Sequence, residues 1–140
     1  MNSSNRLPGR GRPTVEVSWG ELLDKISILE IKEQRLRSPE AVRNVRAELA
    51  TLLRAVQDMQ PQPAGLDELR ARLRKTNETL WDIEDQLRAK EAIKSFDQQF
   101  IELARSVYFT NDERSQIKRE INKLMNSELV EEKQYSSYQR

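Results

Sequence analysis

Apolar residues recur at alternating steps of three and four along most of the chain, which is the spacing of one face of an α-helix. The first two stripes are Trp19, Leu22, Ile26, Leu29, Glu33 and Leu36, and then Val42, Val45, Leu49, Leu52, Val56 and Met59. Glu33 stands at an otherwise apolar position. Two further stripes follow over residues 66–87 and 100–121. The pattern therefore predicts four amphipathic helices.

Local signals place the ends of the first two helices. The segment SWGE is a capping box, in which Ser18 and Glu21 can each accept the backbone amide of the other. The first helix should therefore begin there and run to about Arg37. Ser38 followed by Pro39 is a second start signal, because proline is favoured at the first helical position.

The third and fourth helices are bounded by turn residues. The segment QPQPAG, residues 60–65, ends the second helix, and the third begins near Leu66. A turn over residues 91–95 leads into the fourth helix, which should run from Ser95 or Phe96 to about Asn126. A second capping signal in TNDE allows a break at Asn111. We favour a continuous fourth helix, because its apolar spacing keeps its phase across that point.

The stripes share one register if each connection folds back as a hairpin. Facing positions in antiparallel helices then include Leu29 with Leu49, Leu52 with Leu73, and Leu80 with Val107. This regularity predicts an all-α fold, an up-down-up-down antiparallel four-helix bundle of long helices. A dimer of opened-out hairpins satisfies the same pairing.

Polar side chains interrupt the stripes in the middle of the predicted bundle. They form a belt within about two helical turns, roughly 10 Å, made of Glu30, Glu33, Thr76, Asn77, Thr110, Asn111 and Arg114. A guanidinium is costly in an apolar layer unless it is paired. We therefore expect Arg114 either to pair with Glu30 or Glu33 or to extend into a cavity.

Two functions are compatible with this belt. In the first, it is a packed polar layer that fixes register and oligomeric state in a non-enzymatic interaction or scaffold module that self-associates. In the second, it lines the pocket of an enzyme or sensor, where Arg114 binds the phosphate or carboxylate group of an anionic metabolite. Glu30 or Glu33 would then bind a cation or move a proton. We favour the first hypothesis and expect no catalytic residue.

Two carboxylate pairs have a spacing that could hold a hard cation. They are Glu30 with Glu33, and Asp82 with Asp85. Residues three apart share a helix face, and Mg²⁺ needs only one or two carboxylates besides substrate phosphates. The spacing loosely resembles that of the all-helical nucleotide pyrophosphohydrolases. Because Asp82 and Asp85 lie off the apolar stripe, we expect no metal or cofactor and keep Mg²⁺ as the alternative.

The fourth helix is longer than the first two, which favours an oligomer. At about 30 residues it spans about 45 Å, whereas the first two helices span about 30 Å. The apolar residues Ile117, Ile121, Leu124 and Met125 lie toward the end that we expect to be uncovered. A second copy of the chain would cover them, and a dimer is the simplest such assembly.

The composition excludes several classes of function. With 24 basic and 23 acidic side chains the net charge is +1, so we expect neither nucleic acid nor a membrane as a partner. The chain has no Cys and no His, which excludes thiolate or imidazole zinc sites, Cys nucleophiles and His-based triads. Its four glycines match no phosphate-binding loop.

The N-terminal residues differ in composition from the rest. Residues 1–13, MNSSNRLPGRGRP, carry three arginines among Ser, Asn, Pro and Gly, which predicts a disordered basic arm. Residues 14–140 should form a single helical domain. The chain shows neither a spanning segment nor the apolar core of a signal peptide, so we predict a cytoplasmic location.

Four longer motifs carry a resemblance: GELLDKISILEIK, LWDIEDQLRAKE, FIELARSVYFTNDERSQIKREIN and LVEEKQY. Over about Val15 to Tyr138 the chain resembles a family of short bacterial proteins known only as a domain of unknown function. The resemblance implies a bacterial, stand-alone domain and transfers no activity or site. We expect the segment LVEEKQYSSY to be a short helix or ordered extension over one bundle end, anchored by Tyr135 and Tyr138.

Overall fold

The chain folds into four helices without a strand in the part that its computed structural model describes, residues 9–129 and 132. The helices are α1 (Trp19–Arg35), α2 (Pro39–Gln57), α3 (Leu66–Ala92) and α4 (Gln98–Leu124). The prediction of an all-α bundle is therefore confirmed. α4 runs through Asn111 without interruption, so the competing break at that residue does not occur.

The two ends of the sequence are described only in part. Residues 9–13 of the predicted arm have no regular secondary structure, and Arg12 donates a hydrogen bond to Thr51 Oγ1 at 3.2 Å. Residues 1–8 lie outside the described residues. The predicted anchors Tyr135 and Tyr138 also lie outside them.

Side-chain caps explain where three of the helices begin. The capping pairs, each a side-chain oxygen accepting a backbone amide, are Ser18 with Glu21 at 3.1 Å, Ser38 with Ala41 at 3.3 Å, and Asp97 with Phe100 at 2.9 Å. α4 thus begins later than we predicted, because Asp97 rather than Ser95 caps it. The first two starts agree with the sequence signals.

α1 is the central helix of the molecule. It packs against each of the other three helices, α3 and α4 pair with each other, and α2 approaches only α1 among the described helices. The predicted facing of α2 and α3, for example Leu52 with Leu73, is therefore wrong. Two evenly spaced stripes match in register whether or not their helices are in contact, so matching register does not prove that two helices are neighbours. In the structure, α1 packs beside α3 at the position that we predicted for α2.

α1 can occupy this central position because two of its faces are buried. Ile26 and Leu29 belong to the apolar stripe and are at most 3% exposed. A second buried row runs along α1 at steps of four, three and four, and consists of Gly20, Asp24, Ser27 and Ile31. Small and polar residues in this row allow close approach of α3 and α4, which an apolar pattern does not reveal.

α3 and α4 extend beyond the end of α1. The last residue of α1, Arg35, contacts Asp82 of α3 at 2.6 Å, and α3 continues for a further ten residues. We call the two-helix hairpin beyond this level, residues 84–105, the overhang. Its exposed apolar side chains are Ile93 at 75%, Phe96 at 56% and Ile101 at 48%.

The uncovered end is opposite to the one that the sequence predicted. Ile117 and Ile121 are 4% and 0% exposed, because the C-terminal half of α4 packs against α1. Leu124 is 37% exposed and Met125 is partly buried against the core. The surplus length of α4 therefore lies at its N-terminal end, in the overhang.

Candidate functional site

Polar residues line the face of α4 that packs on α1. Arg114, Lys118 and Asn122 are spaced four residues apart, so they lie on one side of the helix. Their contacts on α1 are Arg114 with Asp24, Lys118 with Glu21, and Asn122 with Gly20. Residue numbers rise along α4 as they fall along α1, so these two helices run in opposite directions. We call these six residues the polar ladder.

The centre of the ladder is the buried carboxylate of Asp24, which is 1% exposed. Its Oδ1 accepts hydrogen bonds from Arg114 Nε at 2.9 Å and from Asn77 Nδ2 at 2.9 Å. Its Oδ2 accepts from Arg114 Nη2, so the guanidinium binds in two-pronged fashion, and Lys118 Nζ lies 3.8 Å away. Charge-assisted pairs of this geometry are strong.

The lysine of the ladder connects this buried pair to the surface. The Lys118 side chain is 8% exposed, and its Nζ lies 2.8 Å from Glu21 Oε2, a carboxylate on a side chain that is 45% exposed. Two carboxylates and two cations thus balance in charge. Among the described residues, every buried side-chain nitrogen or oxygen has a hydrogen-bond partner. The ladder is a satisfied polar layer, as stability requires of buried charges.

Gly20 allows the two helices to approach at this point. A Cβ atom there would lie 2.6 Å from the Lys118 carbonyl oxygen and 3.0 Å from Asn122 Oδ1. The Gly20 amide donates to Asn122 Oδ1 at 2.7 Å, and the Trp19 amide to Ser127 Oγ at 3.4 Å. The end of α4 and the residues after it therefore supply partners for amides at the start of α1 that have none within the helix.

The structure brings some of the predicted belt together. Asn77 and Arg114 meet at Asp24, and Asn77 Nδ2 also donates to Ser27 Oγ at 3.2 Å. Thr76 is buried and donates to the Arg72 carbonyl of its own helix at 2.9 Å. Two more predicted belt residues lie about one turn before Arg114 on α4, the buried Thr110 and the half-buried Asn111.

The predicted ion pair of Arg114 with Glu30 or Glu33 is wrong. Glu33 instead lies 3.6 Å from Arg46 of α2, and Glu30 forms no ion pair with a described residue. The physical reason is that Glu33 faces α2, whereas Arg114 reaches the second buried face of α1. Asp24 is on that face, one helical turn after Gly20.

The four carboxylates of the magnesium alternative do not gather into one cluster. Asp82 pairs with Arg35 at 2.6 Å, and Asp82 and Asp85 are both exposed. Within the described part of the chain, no three acidic side chains lie close enough together to hold a metal ion.

A groove of about 450 Å³ lies beside the ladder and opens toward the overhang. It is lined by Ile28, Ile31, Asn77, Leu80, Trp81, Glu84, Asp85, Arg88 and Arg114. Arg35 covers one of its walls, with the guanidinium carbon 5.8 Å from the centre of the Trp81 ring. The groove thus begins beside the second half of α1 and continues along α3 into the overhang.

Sequence reasoning missed most of the ladder, although a signal was present. Asp24, Lys118 and Asn122 do not interrupt an apolar stripe, so the stripes alone do not identify them. Their spacing carried the information: two polar rows at helical steps, one on α1 and one on α4. Rows of this kind indicate a second packed face as an apolar stripe does.

A comparison with family models finds a match over nearly the whole chain. The model described as "Family of unknown function (DUF6165)" matches residues 13–139. Comparisons with curated proteins and with solved structures find no match. Every helix in the described part of the chain is too short or too polar to span a lipid bilayer. Bacterial origin, cytoplasmic location and the absence of nucleic-acid partners stay predictions.

Proposed function

The chain belongs to this family of unknown function, and we propose that it is a non-enzymatic helical interaction module that self-associates through its overhang. The observation that carries the proposal is that α3 and α4 extend beyond the end of α1, with Ile93, Phe96 and Ile101 about half exposed or more. Large exposed apolar side chains that gather at one end of a fold mark a candidate surface for protein contacts.

The energetics favour a protein partner for the overhang. Fully burying one Ile or Phe side chain stabilises a complex by about 1.5–3 kcal/mol before the costs of association. Phe96 and Phe100 also pack edge to face at 5.2 Å between ring centres, which presents a stiff aromatic surface at the tip. Rigid aromatic and branched side chains lose little entropy on binding.

The state of the polar ladder supports an interaction module over an enzyme. Arg114 already binds Asp24 through two nitrogen atoms, and Asn77 completes the contact. An anionic metabolite would have to displace or share this partner. A satisfied buried layer serves register and pairing, the role that single polar core residues have in coiled coils. The groove beside Arg114 is the observation that favours the metabolite alternative.

Replacing apolar side chains at the tip tests the proposal. We expect the Ile93→Glu/Phe96→Glu protein to be monomeric at concentrations where the wild type is a dimer, with unchanged helical content, because both side chains are exposed within one chain. Sedimentation velocity over a wide concentration range measures the assembly. Val15→Glu is the matched control, since Val15 is 76% exposed but precedes α1.

Two results would contradict the proposal. One is a wild-type protein that stays monomeric at all concentrations. The other is a dimer of equal affinity in the wild type and the Ile93→Glu/Phe96→Glu variant, which would place the interface elsewhere.

A further inference from the structure

The face of α3 that looks toward the groove continues along the overhang with charged residues. Glu84, Arg88 and Glu91 follow one another at steps of four and three, so they lie on one side of the helix. At the other end of the molecule, α1 packs on the equivalent side of α3. Beyond Arg35 that side has no covering helix among the described residues.

These charges are weakly engaged within the chain. Arg88 lies 3.5 Å from Glu84, with side-chain exposures of 81% and 52%, so this pair contributes little. Glu91 is exposed and has no ion-pair partner among the described residues. Asp85 and Lys94, on the flanks of the same segment, are exposed and equally without one.

The order of these charges is self-complementary. In an antiparallel pair of α3 helices centred between Ala89 and Lys90, Arg88 of each copy is level with Glu91 of the other. Opposite charges that face each other across helices favour a register, and like charges oppose it.

Neighbouring registers are unfavourable. If the two copies slide by three residues so that the two-fold axis lies at Arg88, Arg88 of one copy faces Arg88 of the other. A slip of the same size toward the C-terminus, with the axis at Glu91, sets Glu91 of one copy against Glu91 of the other. Like-charge contacts across an interface oppose binding, so the charge pattern disfavours both of these slips.

Resting on the proposed function, we infer that the partner of the overhang is a second copy of this chain, docked antiparallel along α3 about a two-fold axis near Ala89 and Lys90. This register sets the tip of one copy, Ile93 and Phe96, level with residues 83–86 of the other. That level is where the groove of about 450 Å³ lies. The tip of each copy enters the groove of the other, as an isologous interface requires.

Charge reversal tests this register on the full chain. Arg88→Glu alone places two carboxylates opposite each other twice in the dimer, and Glu91→Arg alone does the same with two cations. We expect each single variant to dimerise at least about tenfold more weakly than the wild type. The Arg88→Glu/Glu91→Arg double variant restores both pairs, so its dissociation constant should return to within about threefold of wild type.

Mixing the two single variants provides a sharper measurement. The Arg88→Glu chain has acids at both positions and the Glu91→Arg chain has arginines at both, so the two chains are complementary in charge. An equimolar mixture of Arg88→Glu and Glu91→Arg should therefore form a heterodimer, observed by sedimentation velocity with one chain fluorescently labelled. Glu102→Arg is the matched control, because it reverses an exposed charge of the overhang on α4 rather than α3.

The possible outcomes separate this inference from the proposed function. If Ile93→Glu/Phe96→Glu dissociates the dimer but the single reversals do not, or if the mixture fails to associate, the antiparallel register is overturned and the overhang remains the interface. If neither set of variants changes assembly, both the inference and the proposed function fail. Dissociation by each single reversal and rescue in the double variant and the mixture supports the register.

Discussion

The pair of helices α3 and α4 behaves differently at its two ends. At the end that α1 covers, Leu73 and Ile121 are fully buried. In the overhang the same two helices leave Leu87 and Phe100 half-buried and Ile93 exposed. Two helices enclose only a narrow seam between them, so a third element is needed to close a core. The comparison shows what α1 contributes and what the overhang lacks.

Charged residues show the same contrast. At the covered end the Asp24 side chain is 2% exposed within its pair with Arg114. In the overhang the pair of Arg88 with Glu84 is solvated and close to neutral in energy. Burial therefore makes the first pair essential and leaves the second dispensable inside one chain. The following variants test this difference, from the largest expected effect to the smallest.

Two leucines on α3 give the largest contrast. Leu73→Ala should reduce the free energy of unfolding by about 3–5 kcal/mol, because Leu73 is 0% exposed and the site cannot collapse. Leu87→Ala, in the overhang, should cost less than about 1.5 kcal/mol in the monomer, because Leu87 is already half-solvated. Urea unfolding at low protein concentration measures both. Equal losses would mean that the overhang has a core of its own.

Removing the guanidinium of the ladder should give the next largest effect. Arg114→Met leaves Asp24 buried beside Asn77 and Lys118, at a cost of about 2–3 kcal/mol. This is below the range for a fully enclosed pair, because the Arg114 side chain is 28% exposed and Lys118 remains. Arg88→Met is the matched control and, at protein concentrations where the chain is monomeric, should change stability by less than about 0.5 kcal/mol.

A second substitution sharpens the result for Arg114. The Asp24→Asn/Arg114→Met protein should lie within about 1 kcal/mol of wild type, since desolvation cancels much of the gain from a buried pair. The anionic-metabolite alternative predicts the opposite sign for the single change. A lone Arg114→Met protein that melts higher than wild type, and loses stabilisation by added phosphate, would favour that alternative.

A methyl group at Gly20 should separate the helices at the covered end. Gly20→Ala places Cβ against the Lys118 carbonyl, a backbone atom that cannot rotate away. We expect a loss of about 1–2 kcal/mol, although alanine has the higher intrinsic helix propensity by about 1 kcal/mol. Thermal unfolding measures it. Gln99→Ala, an exposed change in the overhang, should stay within about 0.5 kcal/mol, and a stabilised Gly20→Ala protein would contradict the close approach.

The smallest effect should be a local response to acid at the overhang. The pKa of the Asp97 carboxyl lies below its ordinary value of 3.8, because it accepts a hydrogen bond from Lys90 and another from the Phe100 amide. A lowered pKa stabilises the fold at all pH above the ordinary value, and this stabilisation is lost as the pH falls through the lowered pKa.

An NMR titration of the Asp97 carboxyl checks this sign. Amide exchange at Phe100 should accelerate over the same acidic range, while the Gly20 amide at the covered end stays protected. Asp97→Asn keeps a capping side chain and should remove the pH dependence of the turn. Titration of Asp97 at or above 3.8 would show that the contact with Lys90 does not persist in solution.

The sequence predicted the parts of the fold that depend on local signals. Ser18, Ser38 and Pro39 marked two helix starts, and the apolar stripe of α2 is buried at Val45, Leu49 and Val56. The arrangement of the helices was harder to predict. Equal stripe spacing is shared by any neighbouring pair of helices, so it could not show that α1, rather than α2, lies beside α3.

The ladder could be predicted only in part, because its partners lie far apart in the sequence. Arg114 stood out as a charge in an apolar stripe, and its need for a carboxylate followed from physics. The identity of that carboxylate depends on a contact 90 residues away and on the rotation of α1. Gly20 fixes both, and a single glycine gives no local sign of a helix crossing.

The contact between Gly20 and Asn122 spans 102 residues, almost the full length of the helical region. During synthesis, α1 therefore emerges long before the helix that caps its first amides and neutralises Asp24. The neighbouring helices α3 and α4 can pair early, as can α1 and α2, since only a short turn separates the helices of each pair. The contacts of α1 with α4 wait for the end of the chain. We expect a ribosome-bound chain that stops before Arg114 to leave the Asp24 face of α1 without its α4 partners, and therefore more open to proteolysis than in the full chain. The first helix to be made therefore completes its contacts last.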